Sequence, residues 1–244
     1  MAATVQFPGE ELSPEQLPTQ TKASKSLTIG PGLRYLHPST VETSNTGTVS
    51  IDNRKNSVWI ENNGQGRYTP SVGDHVIAIT HHSSMDQYFC TLAPFAPQAT
   101  LGYLAFEGVT RKTRPILQAG SIVYARVSRV HKHLDPELEC VQPSGKAEGL
   151  GELKGGTVFD VSLGMARRLL MSKPTDDGKI SVLEQLGEKG VRFEVAVGRN
   201  GKVWVNCDNV KTTIAIGRVL QEADRSNLTL DEQDKMVQQV MRTT

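Results

Sequence analysis

Alternating apolar and polar residues between positions 191 and 206 predict a β-hairpin. Apolar side chains stand at every second position of 191–197 and again at Val203 and Val205, which is the period of a strand with one buried face. The two runs are joined by Gly198-Arg-Asn200-Gly201. Asn-Gly favours a tight reversal because both residues tolerate positive φ.

The reversal of this hairpin is also a Gly-x-x-Gly sequence, which KH domains use to bind nucleic acid. In those domains the loop joins two helices, and its backbone amides face a phosphate. Here the glycines lie at the tip of a strand pair. We therefore interpret Gly198 and Gly201 as a structural turn in a KH-like domain, and phosphate binding by this loop is the alternative.

A second set of alternating segments predicts five short strands within about 75 residues, a spacing typical of a small closed barrel of the OB type. The predicted strands are 75–80, 87–92, 100–106, 121–130 and 138–142. OB barrels bind oligonucleotides across one face. A plain β-barrel used for protein contacts is the alternative, and the pattern gives it nearly equal weight.

From residue 157 the apolar period changes to that of helices. A strand at 158–163 is followed by helices at 164–172 and 180–186, and then by the hairpin. Asp208 or Asn209 can cap a further helix, and a capping box of Thr229 and Glu232 begins the last one. This order is that of a eukaryotic-type (type I) KH domain with one added C-terminal helix.

The N-terminal part of the chain reads differently, because residues 1–28 are rich in Pro, Ser, Thr, Gln and Glu. Such a composition predicts an irregular arm. Alternation at 47–51 and 57–60 then predicts a small hairpin. The predicted fold class is therefore multidomain α+β. The predicted domains are an irregular arm at 1–28, an N-terminal β domain at 29–69, a five-stranded S1-type OB barrel at 70–146 and a KH-like domain at 147–244.

Composition restricts the functions that this chain can have. The 244 residues carry a net charge of +1, whereas a protein that binds nucleic acid tightly by itself usually has a larger basic excess. The three cysteines form no pair motif, which favours a reducing compartment. No apolar run approaches a membrane span, and no secretory signal is visible.

One segment is strongly basic, because no acidic residue lies between Glu107 and Asp135. Six cations in this segment are candidate RNA contacts: Arg111, Lys112, Arg114, Arg126, Arg129 and Lys132. If the segment folds compactly, they make one positive surface. A solvated loop and strand face is the alternative.

Candidate chemistry is otherwise sparse. Tyr88 and Phe89 alternate on the second predicted strand, so only one can face outward to stack a base. Tyr88 is our candidate, with core packing as the alternative. The pairs His81-His82 and His131-x-His133 have neither a nearby cysteine nor a helical His/Glu spacing. We therefore expect no metal, no cofactor and no catalytic residue.

Four segments together resemble the cap subunits of the eukaryotic RNA exosome, over residues 29–244. They are Gly30-Pro-Gly-Leu-Arg34, Tyr68-Thr-Pro-Ser-Val-Gly-Asp-His-Val-Ile77, Phe106-Glu-Gly-Val-Thr-Arg-Lys-Thr-Arg-Pro115 and Gly198-Arg-Asn-Gly-Lys-Val-Trp-Val205. The second resembles the start of the family's barrel. The last matches its Gly-x-Asn-Gly signature and the tryptophan that follows.

This resemblance implies a subunit without nuclease activity. It implies a position on a ring of RNase PH-like proteins, beside other cap subunits, where single-stranded RNA enters a channel towards a separate 3′→5′ exonuclease. It also implies that Gly198, Asn200, Gly201 and Trp204 pack at the barrel–KH junction, and that the protein occurs in the nucleus, nucleolus and cytoplasm. A free-standing S1/KH RNA-binding regulator and a histidine-dependent hydrolase are the alternatives.

Overall fold

A computed structural model describes residues 5–18, 26–53, 56–61, 67–94, 96–171, 182–188, 190–226 and 230–243 of this chain. The chain separates into two units, Met1–Gly64 and Gln65–Thr244. The first has a small apolar cluster, and the second has two larger clusters, one in a barrel and one between a sheet and helices.

The first unit is built from short strands. They are β1 (Val5–Gln6), β2 (Thr28–Ile29), β3 (Leu33–Leu36), β4 (Thr40–Thr43), β5 (Gly47–Asp52) and β6 (Ser57–Glu61). One sheet has the order β1-β5-β6-β2, and β3 pairs with β4 separately. The predicted hairpin is present as β5 and β6, and its inward side chain Val58 is fully buried.

The described part of the N-terminal arm differs from the irregular segment that its composition predicts. Val5 pairs with Thr48 of β5, and Pro14–Gln16 form a 3-10 helix. Leu12 is 8% exposed, and its amide donates to the carbonyl of Val41 at 2.9 Å. The prediction is wrong here because one buried leucine and a few backbone hydrogen bonds hold a polar segment that has almost no apolar period.

The barrel is closed by five strands of the second unit. They are β7 (His75–Ser83), β8 (Gln87–Thr91), β9 (Ala99–Phe106), β10 (Ile122–His131) and β11 (Leu134–Cys140). The strand order is β11-β9-β8-β7-β10, and pairing of β10 with β11 closes the circle. A short strand β12 (Gly151–Leu153) pairs with the start of β10. The predicted OB/S1-like barrel is therefore confirmed.

Strand boundaries in the barrel differ from the expectation by up to four residues. The last strand begins at Leu134, four residues earlier than predicted. Asp135-Pro136 suggests a break in the sequence, but the pairing shifts register between Arg129 and His131 of β10. That irregularity accommodates the proline, since a bulge needs no donor from it.

The KH-like domain follows the barrel. Its elements are β13 (Thr157–Asp160), α1 (Leu163–Leu170), α2 (Val182–Glu188), β14 (Phe193–Gly198), β15 (Lys202–Cys207), α3 (Val210–Ser226) and α4 (Leu230–Thr243). The sheet has the order β13-β15-β14. The β-α-α-β-β-α order with an added helix is confirmed, while Thr229 of the predicted capping box lies outside the described residues. No helix in the described residues has the length and apolarity that a membrane span needs.

Helix α3 packs tightly on the sheet because of one glycine. A Cβ built at Gly217 would lie 2.1 Å from the ring of Phe159 on β13, so any side chain there would push the helix away. The start of α3 is fixed by Asn209, whose Oδ1 accepts from the amide of Lys211 at 3.0 Å. Asn209, rather than Asp208, is therefore the residue with the observed capping contact.

Candidate nucleic-acid interface and the barrel–KH junction

The side chain of Asn200 joins the KH-like domain to the barrel. Its Nδ2 donates to the carbonyls of Ile77 at 2.8 Å and Leu92 at 2.7 Å, and its Oδ1 accepts from the amide of Ile77 at 3.2 Å. Asn200 is 6% exposed. Every one of these contacts is to the main chain of the barrel, so one side chain fixes the β14–β15 turn against β7 and the end of β8.

The two glycines of the turn allow this close approach. A Cβ at Gly198 would lie 2.7 Å from the amide nitrogen of Ile77. Gly201 has φ of +74°, and its Cβ would lie 2.6 Å from the carbonyl oxygen of Val161. Both positions therefore exclude larger residues, the first by contact with the barrel and the second by backbone conformation as well.

Two amides of this turn already donate within the protein. The amide of Arg199 donates to the carbonyl of His75 at 2.8 Å, and the amide of Gly201 donates to the carbonyl of Gly198 at 3.1 Å. The connection from α1 to α2, where KH domains place their nucleic-acid loop, has a single glycine, Gly178, in the sequence. Both observations favour the structural interpretation of the Gly-x-x-Gly turn over phosphate binding.

A polar chain extends the junction from the exposed Arg199 to the buried Asp74 and Tyr68. The Arg199 guanidinium Nε lies 3.3 Å from Oδ1 of Asp74, and the Asp74 carboxylate accepts from the Tyr68 hydroxyl at 2.9 Å. Burial, with the negative charge of Asp74 beside it, raises the pKa of Tyr68. Tyr68, which the predicted boundary assigned to the N-terminal domain, packs in the barrel core.

Trp204 packs on the connection between β12 and β13. The residue is 4% exposed, and its Nε1 donates to the carbonyl of Gly155 at 2.9 Å. A Cβ at Gly156 would lie 2.7 Å from the same nitrogen. The indole therefore fixes the chain where it leaves the barrel and enters the KH sheet.

The segment 107–121 between β9 and β10, here called the basic loop, contains a hydrogen-bonded turn. The amide of Thr110 donates to Oγ1 of Thr113 at 2.9 Å, and the amide of Thr113 donates to the carbonyl of Thr110 at 3.1 Å. This turn exposes Arg111 and Lys112 at its tip. The guanidinium carbon of Arg114 lies 4.3 Å from the ring centroid of Tyr103, a cation–π contact that holds the base of the loop.

The prediction that Tyr88 stacks a base is wrong. Tyr88 is 3% exposed, with its ring edge-on to Tyr103 at a centroid distance of 4.5 Å. Its hydroxyl donates to the carbonyl of Pro115 at 2.5 Å and accepts from the amide of Leu117 at 3.3 Å. Tyr88 thus supports the basic loop from within the barrel, and Phe89 is the outward residue of the pair.

The expectation of one positive surface is also corrected. Arg126 on β10 forms an ion pair with Glu139 on β11 at 2.9 Å, and Arg129 lies 3.6 Å from Glu137. Two glutamates of the neighbouring strand therefore pair with arginines of the segment that has no acidic residue of its own. The sequence of that segment does not reveal these ion pairs. Lys132 is exposed at the β10–β11 turn.

No group of three or more His, Cys, Asp or Glu side chains that could hold a metal occurs among the described residues. His131 and His133 are exposed, with ring centroids 6.0 Å apart. The Nδ1 of His131 accepts from the amide of His133 at 3.3 Å.

Comparisons with known proteins agree with this architecture. Residues 27–65 match the family model "Exosome complex exonuclease Rrp40 N-terminal domain", residues 68–151 match "Exosome complex component RRP40, S1 domain", and residues 156–211 match "KH domain". A relative from Saccharomyces cerevisiae named exosome complex component RRP40 is 35% identical over 232 residues, which cover 92% of this chain and 90% of the relative.

Two further similarities extend the comparison. A Schizosaccharomyces pombe relative named exosome complex component rrp40 is 38% identical over 223 residues, covering 89% of this chain and 87% of the relative. A solved structure of a protein assigned as an exosome complex RNA-binding protein has a TM-score of 0.56 at 21% identity. It covers 72% of this chain and 97% of that one, and it supports the fold alone.

The barrel, the KH-like sheet and the Asn200 contact between them define an S1–KH protein with an N-terminal β domain. Given the family matches and the identities across most of the chain, this protein belongs to the Rrp40 family of exosome components. A free-standing S1/KH regulator is not favoured by these relatives.

Proposed function

We propose that this chain is a cap subunit of the RNA exosome, which stabilises the complex and guides single-stranded RNA without cutting it. The observation that carries this proposal is the Rrp40-family order of domains, in which an S1-type barrel is fixed to a KH-like domain through Asn200. A barrel held in this way has a defined orientation, as a subunit lining the mouth of a channel requires.

The RNA contact in this proposal is the tip of the basic loop. Arg111 and Lys112 project from a turn whose base is held by Tyr88 and Tyr103, so little backbone entropy is lost when their side chains meet a phosphate. Contacts to phosphate need charge and no base readout. Two such contacts on a single strand give a slope of log K against log salt of about −1.4, so we expect the isolated chain to bind RNA weakly.

The proposed partners follow from membership of the family. The chain would contact RNase PH-like ring subunits and other cap subunits, and would pass RNA to an associated 3′→5′ exonuclease for degradation and processing. Affinity purification of the endogenous protein, followed by identification of the co-purified chains, tests this assignment. Recovery of the chain alone, at a monomer's size in gel filtration, would contradict it.

The absence of cleavage is tested with end-labelled single-stranded RNA. We expect the purified chain to leave the RNA intact over hours, and a reconstituted complex with its exonuclease to shorten it from the 3′ end. In that complex, replacing Arg111 and Lys112 together by alanine should slow degradation, whereas Lys154→Ala, at another exposed lysine, should not. Equal rates for both variants would exclude the basic loop from the RNA path.

We also propose that the protein resides in the nucleus and nucleolus, with a cytoplasmic fraction. This proposal rests on the role in RNA processing given above. Imaging of the chain expressed from its own promoter with a fluorescent tag tests the distribution, and a signal confined to another compartment would refute it.

A further inference from the structure

The turn of the barrel–KH junction contains an Asn-Gly sequence, at which asparagine loses its side-chain amide more readily than elsewhere in a chain. Glycine has no Cβ to hinder the approach of its own amide nitrogen to the preceding side chain. The sequence has two such sites, Asn200-Gly201 in the junction and Asn63-Gly64 outside the described residues. The junction thus depends on a side chain that is thermolabile in an unfolded chain.

Deamidation requires the side chain and the main chain of the turn to meet. The amide nitrogen of Gly201 gives up its proton and attacks Cγ of Asn200, whose Nδ2 takes up a proton and leaves as ammonia. Water then opens the cyclic succinimide at either of its carbonyls. The product is aspartate or isoaspartate, and water is the only co-reactant.

In the structure each of the two reacting groups is engaged elsewhere. The amide of Gly201 donates to the carbonyl of Gly198 at 3.1 Å. The Asn200 side chain is held by the barrel, through two carbonyls that accept from its Nδ2 and one amide that donates to its Oδ1. Asn200 is 6% exposed, so water has little access to Cγ. The turn must therefore separate locally from the barrel before Cγ can reach the Gly201 nitrogen.

Neither product fits the docked turn. Aspartate would place an oxygen instead of Nδ2 against the carbonyls of Ile77 and Leu92, at 2.8 and 2.7 Å. Isoaspartate continues the main chain through Cγ, which lengthens the turn between Gly198 and Gly201 by a carbon atom. The turn has no space for this, because even a Cβ at Gly198 would lie 2.7 Å from the amide nitrogen of Ile77. Deamidation therefore produces a turn that docks poorly.

We propose that Asn200 is a deamidation site that docking of the KH-like domain on the barrel protects, and that deamidation of an undocked chain prevents later docking. Protection and damage have the same cause, since the side chain that fixes the two domains is the one that reacts. A chain whose domains stay apart, before folding is complete or after local opening, loses the ability to form the junction as the time spent open increases. This inference goes beyond the proposed function, because it does not depend on what the barrel binds.

Incubation of the full chain at pH 8, in buffer and in guanidinium chloride, measures the protection. Peptide mass spectrometry follows the conversion of Asn200, and Asn63 is the internal standard in denaturant, where both sites should react at similar rates. In buffer, Asn200 should react at least about ten-fold more slowly than in denaturant, because only the small open fraction is reactive. Equal rates at Asn200 in the two solutions would overturn the proposal, as would an unreactive Asn200 in denaturant while Asn63 reacts.

Two variants weaken the junction without altering the Asn-Gly sequence. In Gly198→Ala the added Cβ would lie 2.7 Å from the amide nitrogen of Ile77, which forces the turn away from the barrel. Tyr124→Phe is milder, because it removes only the hydroxyl that donates to the carbonyl of Val197 at 3.2 Å. In buffer, both variants should deamidate at Asn200 faster than the unaltered chain, and Gly198→Ala should be the faster of the two.

The matched control is Gly102→Ala, whose Cβ would have only Ala105 within 4 Å, at 3.9 Å. Its rate of deamidation should equal that of the unaltered chain. Circular dichroism establishes which variants fold, and Tyr124→Phe decides the question if Gly198→Ala does not. An unaltered rate in every folded junction variant would show that docking does not protect Asn200.

The loss of docking is measured on the reacted chain. In an Asn63→Gln background, ion exchange separates the chains that have reacted at Asn200, because the new carboxylate adds a negative charge. After the denaturant is removed, these chains should unfold at a lower guanidinium chloride concentration than unreacted chains treated identically. Equal midpoints would mean that the products still dock, and the proposal would fail.

Discussion

Replacing Asn200 by aspartate tests the junction most directly. The two side chains have the same shape, but aspartate replaces the Nδ2 donor by an oxygen. That oxygen would face the carbonyls of Ile77 and Leu92 at the present distances of 2.8 and 2.7 Å. Two hydrogen bonds would become two repulsive contacts at a position that is 6% exposed.

The expected loss of stability follows from these contacts. Leaving a buried polar group unsatisfied costs about 1–3 kcal/mol, and two carbonyls lose their donor. An ionised carboxylate without a partner adds to this cost. We therefore expect Asn200→Asp to lower the free energy of unfolding by about 3–6 kcal/mol, a large fraction of the about 5–15 kcal/mol that a native protein has.

The effect should depend on pH, and its sign is fixed by the environment. Burial and the two carbonyl dipoles disfavour the charged form, so the pKa of the new carboxyl in the folded chain is raised above its value of about 3.9 in the unfolded chain. The protonated form can donate to one carbonyl. The variant should therefore be closest to the parent at low pH and lose stability as pH rises through the raised pKa.

Urea unfolding followed by circular dichroism at pH 5 and pH 8 measures both effects. Asn209→Asp is the matched control, because the side-chain oxygen that accepts from the amide of Lys211 is kept. If the two variants unfold at the same urea concentration, or if the deficit of Asn200→Asp is the same at both pH values, the assigned role of the Asn200 amide is wrong.

Three further predictions concern the interior of the second unit. Trp204→Arg should lower the free energy of unfolding by about 3 kcal/mol or more, because it buries an unpaired charge, whereas Trp204→Phe should cost clearly less; equal melting temperatures would contradict the packed position. Burial raises the pKa of Cys90 to about 11 and that of Cys140 to about 12. Both therefore contribute stability below about pH 9 that is lost as pH rises towards these values, and a flat urea midpoint between pH 8 and pH 11 would refute the assignment. Tyr88→Phe should speed tryptic cleavage after Arg111, because the basic loop loses two hydrogen bonds. The free energy of unfolding should fall by only about 1 kcal/mol per lost bond. An unchanged cleavage rate would show that other contacts hold the loop.

The period of apolar residues was sufficient for most strands and helices, because each barrel strand has one inward face and each helix one buried stripe. It could not say which face is inward where two large residues are adjacent. The alternation of Tyr88 and Phe89 was predicted correctly, but the sequence did not show which of the two side chains faces the barrel interior. There the Tyr88 hydroxyl finds partners in the basic loop.

Contacts between segments that are distant along the chain could not be predicted from the sequence for a different reason. Arg126 and Arg129 appear unopposed along the chain, and only the register of β10 against β11 brings Glu139 and Glu137 beside them. Glu139 in the predicted last strand, with Glu137 just before it, was the available signal. The apolar pattern gave no signal for the contacts of Asn200 with main-chain atoms more than 100 residues away. It predicted only the turn, and the family resemblance of the Gly-x-Asn-Gly segment was what placed Asn200 at the barrel–KH junction.

The junction has an evolutionary consequence, because the side chain of Asn200 forms hydrogen bonds only with peptide groups of the barrel. The identities of the side chains at positions 77 and 92 do not enter the contact, so those residues can drift among core-compatible types while the docking angle is inherited unchanged. The amino-acid sequence is constrained instead in the short turn between β14 and β15, which contacts the barrel. A barrel of different sequence could therefore be exchanged into this chain and still dock correctly, provided that its first two strands keep their course and that it keeps the side chains of Asp74 and Tyr124, which contact Arg199 and Val197.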